Sequence, residues 1–127
     1  MTFQHAVLWM DHRQALLIGL ARDPSQRKLV RNDHHEHRDR DSLGSRTEHD
    51  RVYFSAIADM LGQTPEVLLL GAGPGRIDFL TWLKAHHPDQ ARHILENRAW
   101  EYHSDEELVK EAHRFFKAAD RMLPAAR

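Results

Sequence analysis

The residues able to do chemistry are concentrated in one stretch. Residues 31 to 51 (RNDHHEHRDRDSLGSRTEHDR) hold five Arg, six acidic residues and four of the chain's 11 His. His34, His35 and His37 stand among Asp33, Glu36, Asp39, Asp41 and His49, imidazole and carboxylate donors of the kind that bind Zn, Ni or Cu. Their spacing fixes no coordination geometry, and closing a long polar segment around an ion costs ordering entropy. A divalent transition-metal site at these histidines is one reading; a solvated His-rich loop with no cofactor is the other. Arg38, Arg40, Arg46 and Arg51 lie in the same stretch, and guanidinium groups pair bidentately with phosphate. Interleaved Asp and Glu offset much of that field, and no aromatic side chain stands among them to stack on a base. Phosphate contact and a self-neutralising loop both fit this charge pattern.

A second constellation is Gly71-Ala72-Gly73-Pro74-Gly75-Arg76. A glycine-rich turn from strand to helix offers backbone N–H groups at Gly73 and Gly75 to an anion, and Arg76 adds a charge. No Gly-Lys-Ser/Thr follows, Pro74 removes one donor, and Asp78 opposes an anion, so tight turning and close helix–sheet packing are the favoured use of these glycines. Asp11-His12, with His103 and Asp105, would supply a general base if they met within hydrogen-bond reach. No serine elbow accompanies them, and Arg13 completes an ordinary turn. Asp11 and Asp59 do not make the carboxylate set of a two-metal nuclease. The sequence therefore leans away from an enzyme.

These residues sit in a chain of 127 residues with 18 Lys+Arg, 19 Asp+Glu, a formal net charge of -1 and no cysteine. That length suits a single domain over 1–127 with a core of its own. Disulfides, thiol zinc sites and cysteine nucleophiles are excluded. No apolar run approaches the ~20 residues of a membrane span, and the opening residues do not read as a signal peptide, so a soluble cytoplasmic protein is expected.

Two apolar runs, Ala6–Met10 and Ala15–Leu20, read as a hairpin about Asp11–Gln14, with Arg27–Arg31 as a third, half-polar strand. A long polar loop is expected from about 31 to 51. Tyr53, Ala56, Ile57, Met60 and Leu61 recur at helical spacing before Gly62. Val67–Leu70 reads as a central strand, Ile77, Leu80 and Leu83 as a helix ending before His87-Pro88, and Ala91, Ile94 and Leu95 as a short further helix. Residues 97–102 read as an outer strand. Ser104-Asp105-Glu106-Glu107 is a capping box opening a last helix through Leu108, Ala112, Phe115, Phe116 and Ala119. Trp82, Trp100 and Tyr102 are candidates for a homo-oligomer contact, with core burial the competing reading.

This order gives an α/β domain with a mixed five-stranded sheet, order 3-2-1-4-5, strand 2 antiparallel and helices on both faces. Strands one, three, four and five then point the same way. Asp11-His12-Arg13, the 31–51 loop, Gly71–Arg76 and His103-Ser104-Asp105 would leave one edge, where the strand order reverses and open sheets place ligands.

The segments AVLWMDHRQALLIGL, EVLLLGAGPGRIDFLTWLKAHHP and HSDEELVKEAHRFFKAADRM carry a family resemblance. The chain is similar to small bacterial proteins of the translation-machinery superfamily. Through them it resembles the middle domain of the eukaryotic and archaeal peptide-chain release factor and of Pelota, an RNase H-like fold. The resemblance implies RNA or the ribosome as partner. In the release factor the corresponding loop carries a Gly-Gly-Gln tripeptide that helps water cleave peptidyl-tRNA. Here that stretch reads DSLGSRTEHD, with one glycine, Gly44, and no glutamine. The resemblance therefore implies a non-catalytic, translation-associated scaffold whose Arg13, Arg38, Arg40, Arg46, Arg51 and Arg76 contact phosphate.

Overall fold

The computed structural model describes residues 4–20, 26–32 and 43–122, with backbone alone for 43–49 and 120–122. In chain order the elements are β1 (His5–Met10), β2 (Gln14–Gly19), β3 (Arg27–Arg31), α1 (Leu43–Leu61), β4 (Glu66–Gly71), α2 (Gly75–His86), α3 (Pro88–Ala91), β5 (Ile94–Ala99) and α4 (Asp105–Met122). The sheet order is β3-β2-β1-β4-β5. β1 and β3 both run antiparallel to β2, while β1, β4 and β5 are mutually parallel. The mixed five-stranded α/β architecture expected from the order of elements is the one observed.

Each central strand is apolar on both sides because each side meets a helix. Ala6, Leu8, Met10, Ala15, Leu17, Val67 and Leu69 form one face, packed with Tyr53, Phe54, Ile57, Ala58 and Leu61 of α1 and Phe79 and Leu83 of α2. The alternate residues Val7, Trp9, Leu16, Ile18, Leu68 and Leu70 form the other, covered by Leu108, Ala112 and Phe116 of α4. One face thus carries two long helices and the other a single one. Ser104 Oγ accepts the Glu107 N–H at 3.1 Å, so the expected N-cap of α4 forms.

Three boundaries differ from the sequence reading. α1 begins at Leu43, so residues 43–51 are helix rather than the end of a loop running from 31 to 51. Helix propagation costs less than nucleation, and the packed stripe from Tyr53 to Leu61 supplies the nucleus that a polar leader extends. The outer strand is Ile94–Ala99 rather than 97–102, and the helix after Pro88 stops at Ala91. Ile94 packs against the first face of the sheet and Leu95 is 45% exposed, the alternation of an edge strand rather than a helix.

Candidate functional site

The register places the carboxyl ends of β1, β3, β4 and β5 along one rim. Met10 pairs with Gly71 and Gly71 with Ala99 across the parallel seams, and Gln14 pairs with Arg31 across the antiparallel one. The β1–β2 turn is built by Asp11, whose Oδ1 accepts the N–H groups of Arg13 at 2.7 Å and Gln14 at 3.0 Å. That Asx turn occupies the carboxylate and argues against Asp11 as a base. Asn32 ties the end of β3 to the same turn: its N–H donates to the Arg13 carbonyl at 2.8 Å and its Nδ2 to the His12 carbonyl at 3.0 Å. The end of β3 is therefore held beside Arg13.

The glycine turn is bound into this corner. A Cβ on Gly71 would stand 2.2 Å from the Met10 carbonyl oxygen, and one on Gly75 2.9 Å from the Asp11 carbonyl carbon. Both positions need glycine for close backbone approach, as the packing reading predicts. Gly73 is different: φ is +68° and its surroundings are open. No side chain caps α2, whose N-cap is Pro74, so its first turn opens on the rim with exposed Asp78 beside it. Arg76 is half-buried, with Nε donating to the Gly71 carbonyl at 3.3 Å and Nη1 to Asn97 Oδ1 at 2.8 Å. It fastens the turn to β5 and stands as a fixed charge under the rim.

Tyr53 anchors α1 to the same corner, its hydroxyl donating to the Asp11 carbonyl at 2.9 Å. Burial, with the Asp11 and Asp50 carboxylates nearby, pushes this phenol far above its ordinary range. Leu61 lies toward the amino end of β4, so the helix before Tyr53 runs the other way, toward the rim. Its ten residues there span about 15 Å at the usual helical rise. Arg46 lies on that leader, and Arg51 is exposed on it. Arg13 is exposed on the β1–β2 turn. The structure thus brings Arg13, Gly73, Gly75 and Arg76 together at one corner, with Arg51 on the helix anchored there. His34, His35, His37, Arg38 and Arg40 lie outside the described residues. Among the described residues no three His, Asp or Glu side chains gather as a metal site.

His103-Ser104-Asp105 does not join this rim. After β5 the chain turns over the second face, where the Trp100 carbonyl accepts Trp9 Nε1–H at 2.9 Å and the Tyr102 ring lies 5.5 Å from that of Trp9. Asp105 then meets Arg27, at the start of β3, with Nε to Oδ2 at 2.6 Å, and accepts the Tyr102 hydroxyl at 2.7 Å. Burial alone would raise the Asp105 carboxyl, but the hydrogen bonds from Tyr102 and Arg27 outweigh it and hold the group below its usual range. Pairing of Asp11-His12 with Asp105 is excluded, because Arg27 lies at the opposite end of its strand from Arg31. Sequence reasoning also missed Glu111, which is 7% exposed and accepts from Arg98 at 2.7 Å and Arg114 at 2.8 Å. The Glu111–Arg114 spacing is visible in sequence; the approach of Arg98 from β5 is not.

No protein-family model matches the chain, and no curated protein does. Solved structures do. Pelota from Archaeoglobus fulgidus superposes with a TM-score of 0.58 at 16% identity, over 87% of this chain and 30% of that one. Pelota from Thermoplasma acidophilum superposes with a TM-score of 0.58 at 19% identity, over 91% of this chain and 32% of that one. The fold is that of a Pelota domain, and the chain spans about a third of the length of those proteins.

Proposed function

We propose that this chain is a non-catalytic, translation-associated domain that binds RNA, on the ribosome, through the rim at the carboxyl ends of its strands. The single observation that supports the reading is the pair of Asn32 hydrogen bonds to the β1–β2 turn. They hold the end of β3, after which the sequence becomes His/Arg-rich, beside Arg13 on the edge where Gly73 and the first turn of α2 also open. Likeness to the Pelota fold supports the translation context. Recognition would be electrostatic. Arg13 and Arg51 are exposed, Arg38, Arg40 and Arg46 belong to the segment that joins β3 to Tyr53, and Arg76 adds a fixed charge. With no Gly-Gly-Gln in DSLGSRTEHD and the Asp11 carboxylate spent on its turn, the reading includes no hydrolysis of peptidyl-tRNA.

The test is co-sedimentation with ribosomes at rising salt. The intact chain is compared with one whose residues 33–42 are replaced by an equally long Gly/Ser stretch, and with an Arg13→Ala/Arg51→Ala variant. Binding should fall steeply with salt, and each lost phosphate contact should flatten the log–log slope by about 0.7. Equal pelleting of all three proteins, or pelleting by none, overturns the reading.

A further inference from the structure

Beyond the rim, we propose that the outer edge of β3 is a docking strand for an extended acidic segment of another protein, which adds to the sheet as a sixth strand. Among the described residues no strand lies beyond β3. The Gly19 N–H donates to the Gln26 carbonyl and the Asn32 N–H to the Arg13 carbonyl, so the even-numbered residues of this segment face β2. Hydrogen-bonding directions alternate along an antiparallel strand, which turns the N–H and C=O groups of Arg27, Leu29 and Arg31 outward. An extended segment can pair with that row, as in β-strand addition.

The side chains select the partner. The strand reads Arg-Lys-Leu-Val-Arg, with Lys28 and Arg31 exposed on opposite faces and Leu29 39% exposed. A single helix, α4, covers the face of the sheet that carries Leu29, and it touches β3 through the Asp105–Arg27 pair. It leaves a groove of about 340 Å³ lined by Ile18, Arg27, Asp105, Glu106 and Val109. Apolar surface therefore continues to the edge and would be buried by an apolar partner residue opposite Leu29. Directly opposed unlike charges stabilise strand pairs and like charges oppose them. A second copy is disfavoured on that ground, since antiparallel self-pairing about Leu29 sets Arg27 against Arg31 twice. A nucleic acid is disfavoured because its phosphates would meet the Asp105 and Glu106 carboxylates. Acids opposite Arg31 and Lys28 and apolar residues opposite Val30 and Leu29 satisfy every position. Arg27 already has Asp105 at 2.6 Å and needs no acid.

Read antiparallel, the complement is Glu-Val-Ile-Glu-Thr. The probe is that pentapeptide, flanked by serines and labelled with fluorescein, titrated against the intact chain and followed by anisotropy and by amide hydrogen exchange. Saturable binding is expected, with new protection at the Arg27, Leu29 and Arg31 amides and little change at Lys28 and Val30. Lys28→Glu/Arg31→Glu should weaken binding roughly tenfold. Methylating the peptide amides that face β3 should abolish it with the protein untouched. Binding without that alternating protection, unchanged binding of the methylated peptide, displacement by oligouridylate, self-association of the free chain through β3, or no binding overturns the proposal.

Discussion

Gly71→Ala tests whether the rim depends on close approach of two central strands. The new methyl group would stand 2.2 Å from the Met10 carbonyl oxygen. Ordinary carbon–oxygen contacts begin near ~3.3 Å, so the two must separate by about 1 Å. The Cβ position is fixed by the β4 backbone and the oxygen belongs to the β1 backbone, so no side-chain rotation relieves the overlap. The Gly71 carbonyl also accepts the Trp100 N–H at 2.9 Å and Arg76 Nε–H at 3.3 Å, and both shift with it. Overpacking costs about 1–3 kcal/mol and each of the two weakened hydrogen bonds about 1 kcal/mol, giving roughly 3–5 kcal/mol. Gly73→Ala is the control, since a Cβ there meets nothing within 4 Å and only the φ of +68° is strained. That strain is worth about 1–2 kcal/mol. With a urea slope near ~1.5 kcal/mol per molar, the Gly71→Ala midpoint should fall by about 2–3 M and the Gly73→Ala midpoint by about 1 M. Urea unfolding followed by tryptophan fluorescence reads both. A Gly71→Ala midpoint equal to or above that of Gly73→Ala would refute the close-approach reasoning.

Two pH-linked substitutions test the ties between layers. Tyr53 keeps its proton in the folded state while the unfolded chain releases it above pH ~10, so its stabilisation is complete below that pH and is lost as pH rises. Tyr53→Phe should cost about 1 kcal/mol at neutral pH and flatten the alkaline fall in urea midpoint; a fall as steep as in the parent protein would count against the assignment. For Glu111, burial alone would raise the carboxyl, but hydrogen bonds from Arg114 and Arg98 outweigh it and hold the group low. Its contribution is therefore present above the unfolded value of ~4.3 and is lost as pH falls through the lower folded value. Glu111→Gln should cost about 1–2 kcal/mol near neutrality, and the difference from the parent should shrink toward pH ~3 in acid titrations of the urea midpoint. A constant difference would show that charge plays no part.

The sheet was legible because its central strands are unbroken apolar runs separated by recognisable turns, and because right-handed crossovers leave few strand orders. The close packing at Gly71 and Gly75 could be anticipated from the glycine turn. The start of α1 could not, since the residues before Tyr53 carry no apolar period and are held by propagation from a packed stripe. The edge assigned to Asp105 was wrong for a related reason. Strand direction shows where β5 ends, but not that Trp9 draws the following chain across the second face. The Arg76–Asn97 and Arg98–Glu111 ties depend on neighbours that only the finished register supplies.

The parallel pairing of β1 with β4 joins His5 to Glu66, residues far apart in the chain. Closing a loop of that size costs roughly 4 kcal/mol of chain entropy before any contact rewards it. The β1–β2–β3 meander is local and can assemble early, leaving the backbone N–H and C=O groups on one edge of β1 unpaired, among apolar side chains, until β4 arrives. Pairing at that sequence separation slows folding, and an unpaired edge is where a chain is most open to aggregation.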